Sequence, residues 1–258
     1  MSILKVENLS INFGGVTALA EVSFTMEQGQ IYSLIGPNGA GKTTVFNCIT
    51  RIYKPTKGTI EFGGYNVLKM APHRIAELGI ARTFQNIELF SNMTVMENLL
   101  LARHRLKKSN FLTEMMYLPS VKRQEVLWRK IVEEIIDFLD LHPYREANVM
   151  NLPYGIRKLV ELGRALALEP KLLLLDEPSS GMNPEEKEDL GITIKDIQRY
   201  LRISVLMVEH DMNLVMQISD RVCALNYGRV LIEGLPEEIQ RNNEVIQAYL
   251  GEENGSIA

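Results

Sequence analysis

Apolar runs of strand length and longer amphipathic stretches divide this chain into three parts. In the first, Leu4–Leu9 and Val22–Met26 read as strands separated by the Gly14-Gly15 turn, and Gly58–Phe62, punctuated by Gly63-Gly64, reads as another. Gln30-Ile-Tyr-Ser-Leu-Ile35 is rich in β-formers and stops at Gly36. A helix is expected from Lys42 to about Ile52. An antiparallel β layer beside the Gln30–Ile35 strand accommodates these runs. Ile80–Thr83 predicts a short strand feeding a loop at Gln85.

From Thr94 to about Ala167 the pattern is helical, with Val132, Ile135, Ile136 and Leu139 on one face of a helix over Val121–Leu139. This predicts a separate helical lobe. Within it Lys107–Ser120 reads as a loop-like insertion, whose Met115-Met116-Tyr117 either packs back on the lobe or meets a partner. Strand-helix alternation returns after Glu169-Pro170. Lys171–Asp176, Ser204–Val208 and Val222–Asn226 are the continuous apolar runs of strands buried on both faces of a parallel sheet. Helices after Pro184 and Met212 link them, and Arg229–Glu233 pairs back across Tyr227-Gly228. Short helices at Pro236–Arg241 and Asn243–Leu250 precede a polar tail, Gly251–Ala258, expected to be disordered.

With 258 residues, 46% hydrophobic and 23% charged, the chain is long enough for a large core in one or two lobes. A formal net charge of −4 and the lack of a long basic run give no hint of a nucleic-acid surface. Cys48 and Cys223 each lie in an apolar segment without metal-like spacing, as reduced core thiols of a cytoplasmic protein do. No apolar run approaches the ~20 residues that span a bilayer. The opening Met-Ser-Ile-Leu-Lys-Val enters a strand pattern at once, so no signal peptide is expected, and any work at a membrane must go through another subunit.

The densest chemistry lies in Gly36-Pro37-Asn38-Gly39-Ala40-Gly41-Lys42-Thr43-Thr44, which fits the phosphate-loop spacing G-x-x-x-x-G-K-[ST]. Its three glycines let backbone N–H groups wrap a polyphosphate. Lys42 adds a mobile charge near the β- and γ-phosphates, and the Thr43 hydroxyl is a Mg²⁺ ligand. Leu172-Leu-Leu-Leu-Asp176-Glu177 ends a buried strand in two carboxylates, where parallel α/β sheets bind ligands. Asp176 would hold Mg²⁺, directly or through water, while Glu177, one step further out, polarises the attacking water. His210 follows another strand end, as a γ-phosphate contact or as plain surface. Gln85 is placed to reach Mg²⁺ or water from a movable loop. Phe13, before Gly14-Gly15, is either a core residue or a stacking face for adenine.

In order and spacing these elements resemble the nucleotide-binding domain of ATP-binding cassette (ABC) proteins, over nearly the whole chain. By that resemblance Phe13 matches the aromatic loop, Gly36–Thr44 Walker A, Gln85 the Q-loop and Leu172–Asp176 Walker B. Glu177 matches the catalytic carboxylate, Ser180–Asn183 the D-loop and His210 the switch histidine. Leu152-Pro153-Tyr154-Gly155 falls at the signature motif, where Pro153 replaces the usual serine, Tyr154 the first glycine and Ile156 the glutamine. Gly155 and the expected helix start are kept, so the motif reads as a working variant, with a degenerate half-site as its rival.

The resemblance implies an α/β P-loop NTPase of ABC type, with a mixed-sheet RecA-like core, an antiparallel β subdomain and a helical subdomain. As one ABC ATPase domain over 1–258 it would divide into a catalytic and β lobe (1–93 and 168–235), a helical lobe (94–167) and C-terminal helices with a tail (236–258). ATP and Mg²⁺ would be held between one chain's Walker A and the signature of a second copy or a paralogue. The signature, the insertion and the C-terminal Glu244–Gly251 look like the branched-chain amino-acid uptake ATPases. Urea-uptake and lipopolysaccharide-export ATPases, and soluble non-transport ABC ATPases, are related alternatives. The implied partners are transmembrane permease subunits, with a periplasmic or extracellular binding protein in the same system. The implied place is the cytoplasmic face of the membrane.

Overall fold

Gly14, at φ 57°, reverses the chain between β1 (Ser2–Phe13) and β2 (Val16–Glu27). The computed structural model describes residues 1–83, 87–104 and 119–255. Both hairpin strands exceed their apolar runs, because polar residues continue the ladder, as in the pairs Asn12↔Thr17 and Phe13↔Val16. Next come β3 (Ile31–Ile35), buried throughout, and α1 (Lys42–Ile49). This helix stops short of Ile52, since Arg51 turns left-handed at φ 63°. β4 (Lys57–Phe62) and β5 (Tyr65–Asn66) complete an antiparallel sheet in the order β2-β1-β4-β5.

The chain continues through β6 (Ile80–Arg82), α2 (Val95–Arg103), α3 (Pro119–Phe138) and α4 (Tyr154–Leu166). It then alternates β7 (Leu172–Asp176), α5 (Pro184–Leu201), β8 (Ser204–Val208), α6 (Met212–Ile218) and β9 (Arg221–Asn226). β10 (Arg229–Gly234), α7 (Pro236–Gln240) and α8 (Asn243–Gly255) follow. The stretch Gly251–Gly255, expected as a disordered tail, is instead the last turn of α8. A polar composition argues against burial but not against a helix, and Glu252-Glu253 are good helix formers. The Lys107–Ser120 insertion, with Met115-Met116-Tyr117, lies almost wholly outside the described residues.

Two compact units result, one of Met1–Ile80 with Lys171–Ala258 and one of Ala81–Pro170. In the first, a sheet runs β10-β9-β3-β8-β7, with β9, β3, β8 and β7 parallel and β10 antiparallel to β9. Leu4, Leu9, Phe46, Leu34 and Leu206 share one core that joins both sheets and α1. In the second unit, a Thr94–Glu97 capping box starts α2. Gly163 lets α4 approach its neighbours, since a Cβ there would lie 3.2 Å from both Leu99 and Leu139. Buried Arg103 closes this unit with a hydrogen bond to the Ala167 carbonyl at 2.8 Å and an ion pair to Glu169 at 2.5 Å.

Candidate functional site

Strand register gathers the chemistry of the first unit at one edge of the parallel sheet. Leu34 of β3 pairs with Val208 of β8, and Val208 pairs with Asp176 of β7. The three strands therefore end together, and Gly36, Glu177 and Glu209 emerge just beyond that edge. The carboxyl edge of a parallel sheet is where ligands bind in such folds.

At β3, the loop 36–41 turns into α1 through backbone that only glycine adopts easily. Gly36 has φ 143° and Gly41 φ 102°. A Cβ on Gly36 would lie 2.1 Å from the Leu225 carbonyl, and one on Gly41 would lie 2.7 Å from the Leu19 side chain. The loop is fastened from outside: the Gly228 N–H donates to the Ala40 carbonyl at 3.0 Å, and the Ala20 N–H donates to the Gly228 carbonyl at 2.8 Å. The β9–β10 turn thus ties the phosphate loop to β2. Lys42 is buried, and its Nζ donates to the carbonyls of Gly36 at 2.5 Å and Pro37 at 2.8 Å. Asn38, Gly39 and Thr43 face solvent, and Thr44 is half-buried.

At β7, Asp176 is buried at the strand end, and Glu177 leaves the sheet at φ 48° with its N–H on the Val208 carbonyl at 2.9 Å. The left-handed backbone turns the Glu177 side chain away from the line of the strand, and that side chain is 19% exposed. His210, beyond β8, brings Nδ1 to 3.9 Å from Glu177 Oε2. Motif reading does not single out Glu209, yet it is fully buried, with its Oε2 3.9 Å from His210 Nδ1. Its Oε1 accepts the Ser179 N–H at 2.8 Å, and its Oε2 accepts those of His210 at 2.9 Å and Asp211 at 3.2 Å. One carboxylate therefore fixes the loop after Glu177 and the loop carrying His210. Asp211 continues the tie. It caps α6 by accepting from Asn213 and Leu214, and it accepts from Lys187 Nζ at 2.6 Å. The Lys187 hydrogen bond is the main cause that lowers its carboxyl pKa below the usual value. Ser180–Asn183 lead into α5, which opens with an Asn183–Glu186 capping box and a proline in its first turn.

Phe13 is not a core residue: its ring is 45% exposed at the hairpin tip and is braced edge-on by Tyr53 at 5.0 Å. Such a ring offers an open flat face. In the second unit, α4 begins at Tyr154 with Pro153 as its N-cap, and no side chain caps the first amides. Leu152 and Gly155 are buried, while Tyr154 is partly exposed with the Arg157 guanidinium 5.8 Å and the Lys158 ammonium 5.9 Å from its ring centre. Gln85, and with it the Q-loop assignment, lies outside the described residues. Just downstream, fully buried Asn98 holds the Phe90 backbone on both sides, accepting its N–H at 2.9 Å and donating to its carbonyl at 3.2 Å.

A P-loop α/β fold with a second acidic strand end and a helical unit inserted after β6 defines a class of nucleotide hydrolases, and the comparisons narrow it. A family model described as ABC transporter matches residues 19–180, and one described as branched-chain amino acid ATP-binding cassette transporter matches residues 229–254. The chain is 42% identical to the high-affinity branched-chain amino acid transport ATP-binding protein BraF of Pseudomonas aeruginosa, over 97% of this chain and 98% of that protein. It is 44% identical to LivG of Salmonella typhimurium, a protein of the same description, with the same coverage. Among solved structures, an ATP-binding cassette of an ABC transporter in its ADP conformation superposes with a TM-score of 0.85 at 30% identity, covering 97% of this chain and 99% of that one. The chain belongs to the ABC transporter family, as an ATP-binding cassette. It binds nucleotide and is an ATPase.

Proposed function

We propose that this ATPase is the energy-coupling subunit of an importer for branched-chain amino acids. One observation carries the reading. The phosphate loop, Asp176, Glu177 and His210 stand at one sheet edge, in a chain whose C-terminal segment matches the branched-chain cassette model. Identity to BraF and LivG over nearly the full length supports the same substrate class. Among the described residues no helix is long and apolar enough to cross a membrane. Transport therefore requires permease subunits, with this chain at their cytoplasmic face and a binding protein delivering the amino acid on the other side.

The residues divide the work as follows. The glycine-rich backbone turns its amides toward the phosphates, and Lys42, held at the Gly36 and Pro37 carbonyls, adds its charge beside them. Phe13 supplies the stacking face for adenine. The hydroxyl of Thr43 and the buried carboxylate of Asp176 are hard oxygen donors. They suit Mg²⁺, which takes few protein ligands and completes its shell with phosphate oxygens and water. Held by these residues, Mg²⁺ would supply charge neutralisation for the transferred phosphoryl group. Glu177 orients the attacking water and takes its proton, with His210 close enough to sense the γ-phosphate and hold Glu177 in place. The amides at the start of α4, capped by no side chain, are presented to the γ-phosphate bound by a second cassette. That cassette is either another copy or a paralogue. ATP then favours the closed pair and hydrolysis removes that preference, which drives the permeases between their two states.

Glu177→Gln keeps the shape of the site but cannot take the proton. It should lower kcat by about 100-fold or more while ATP still binds and holds a dimer. Lys42→Ala should abolish binding or turnover. Parent-like hydrolysis by Glu177→Gln would remove Glu177 from its role, and parent-like affinity and rate in Lys42→Ala would remove the phosphate-loop assignment. Uptake of labelled leucine by vesicles carrying the permeases and this chain tests the substrate class.

A further inference from the structure

The geometry points to Tyr249, on the C-terminal helix α8, as a positioning residue for nucleotide binding. This inference rests on the nucleotide reading of the phosphate loop. The hydroxyl of Tyr249 accepts the backbone N–H of Gly36 at 2.8 Å, across 213 positions of sequence. Gly36 opens the loop. Its φ of 143° and the Leu225 carbonyl beneath it leave no room for a side chain. The carbonyl of the same residue accepts from Lys42 Nζ at 2.5 Å. The two peptide groups that flank the Gly36 Cα are thus held at opposite ends, one by Tyr249 and one by Lys42.

The two holds answer differently to a ligand. Lys42 Nζ, with three N–H donors, must turn at least one toward phosphate, which loads the same group that now holds the Gly36 and Pro37 carbonyls. The Tyr249 hydroxyl, like the Gly228 N–H on the Ala40 carbonyl, holds the loop without competing with the ligand, and it is the one of these that bears on the first peptide. Packing cannot replace it there. A cavity of about 400 Å³ lies between Pro37, Asn38 and Ala40 of the loop and Glu244, Gln247 and Ala248 of α8. The helix itself is well seated for the task. Val245 is buried, and the Asn242 side chain accepts the N–H groups of Glu244 at 2.9 Å and Val245 at 3.1 Å. α8 therefore reads through Tyr249 into the first peptide of the phosphate loop, and a shift of this helix is felt as a change in nucleotide affinity.

The test is Tyr249→Phe in the full chain, which keeps the ring and removes one oxygen. ADP with Mg²⁺ is titrated by calorimetry, and ATP hydrolysis is measured across substrate concentration. Loss of one backbone hydrogen bond at the loop should raise the ADP Kd and the ATP KM about three- to tenfold, with kcat at saturation and the thermal midpoint close to the parent. An unchanged Kd and KM would overturn the inference. So would a fall in kcat or in thermal midpoint at unchanged Kd, which marks a structural role only. A parent chain that binds no ADP would instead overturn the nucleotide reading and this inference with it.

Discussion

Three backbone amides converge on the side chain of Glu209, and no apolar group can replace what it does for them. With Glu209→Ala, the N–H groups of Ser179, His210 and Asp211 lose a fully buried acceptor. Each such loss costs on the order of 1 kcal/mol or more, so denaturant unfolding should show a drop of about 2 kcal/mol or more. The functional effect should be selective: kcat falls about tenfold or more while ADP affinity stays near the parent, because the phosphate loop is not attached to this carboxylate. Glu209→Gln keeps one acceptor oxygen and should fall between. A parent-like kcat in Glu209→Ala would remove the residue from the positioning of Glu177 and His210. The two cysteines give a second check at this scale. Burial pushes the Cys48 thiol up to about 11 and the Cys223 thiol to about 12. The thiolate is the reactive form, so neither should be alkylated by iodoacetamide at pH 8 in the native protein, and both should be in denaturant. Residues whose partners are local were legible in sequence, and the glycines and Lys42 of the phosphate loop are the clearest case. Glu209 and Tyr249 were not, since the bonds that tie them to the site, to Ser179 and to Gly36, span 30 and 213 positions and no spacing rule links them.

Among elements, the short helix α6 depends most on one side chain. Asp211 accepts two of its first amides and also the Lys187 ammonium, which ties the start of α6 to α5. Asp211→Ala should cost about 1 kcal/mol through loss of the cap, and Asp211→Asn should keep the cap but lose the ion pair. The pH dependence has a definite sign. The folded carboxyl pKa lies below its ordinary 3.8, chiefly through Lys187, so the stabilisation is present above 3.8 and is lost as the pH falls through the folded value. The stability gap between the parent and Asp211→Asn should therefore be constant near neutrality and close in acid. A gap that widens below pH 4 would contradict the assignment. Elements were legible in type more than in extent. The twelve-residue strands β1 and β2 read as five- or six-residue runs because polar residues such as Asn12 and Thr17 continue the ladder, and in β2 the left-handed Glu21, at φ 57°, interrupts the alternation just before Val22. The early end of α1 at a left-handed Arg51 follows from backbone geometry that composition does not encode.

For the whole molecule, the phosphate loop and the 152–155 motif belong to different compact units. A site in which each chain offers its loop to one nucleotide and its α4 start to another makes a quantitative demand on mixtures. Take one variant disabled in the loop, Lys42→Ala, and a second disabled at the signature, Gly155→Arg, which places a long charged side chain where Gly155 is buried. In a dimer of two identical variants, no site has both halves. In the mixed dimer one site combines the intact loop of the second chain with the intact signature of the first, while the other site carries both lesions. Random pairing makes about half the dimers mixed, so the mixture should recover roughly a quarter of the parent's sites while each variant alone stays near zero. Retained folding of Gly155→Arg is checked by its ADP affinity, which its own phosphate loop supplies. Additive, near-zero activity in the mixture would exclude a composite site between two copies of this chain. The same pairing repeated with a paralogous cassette of the transporter would then decide whether the second half comes from a different chain.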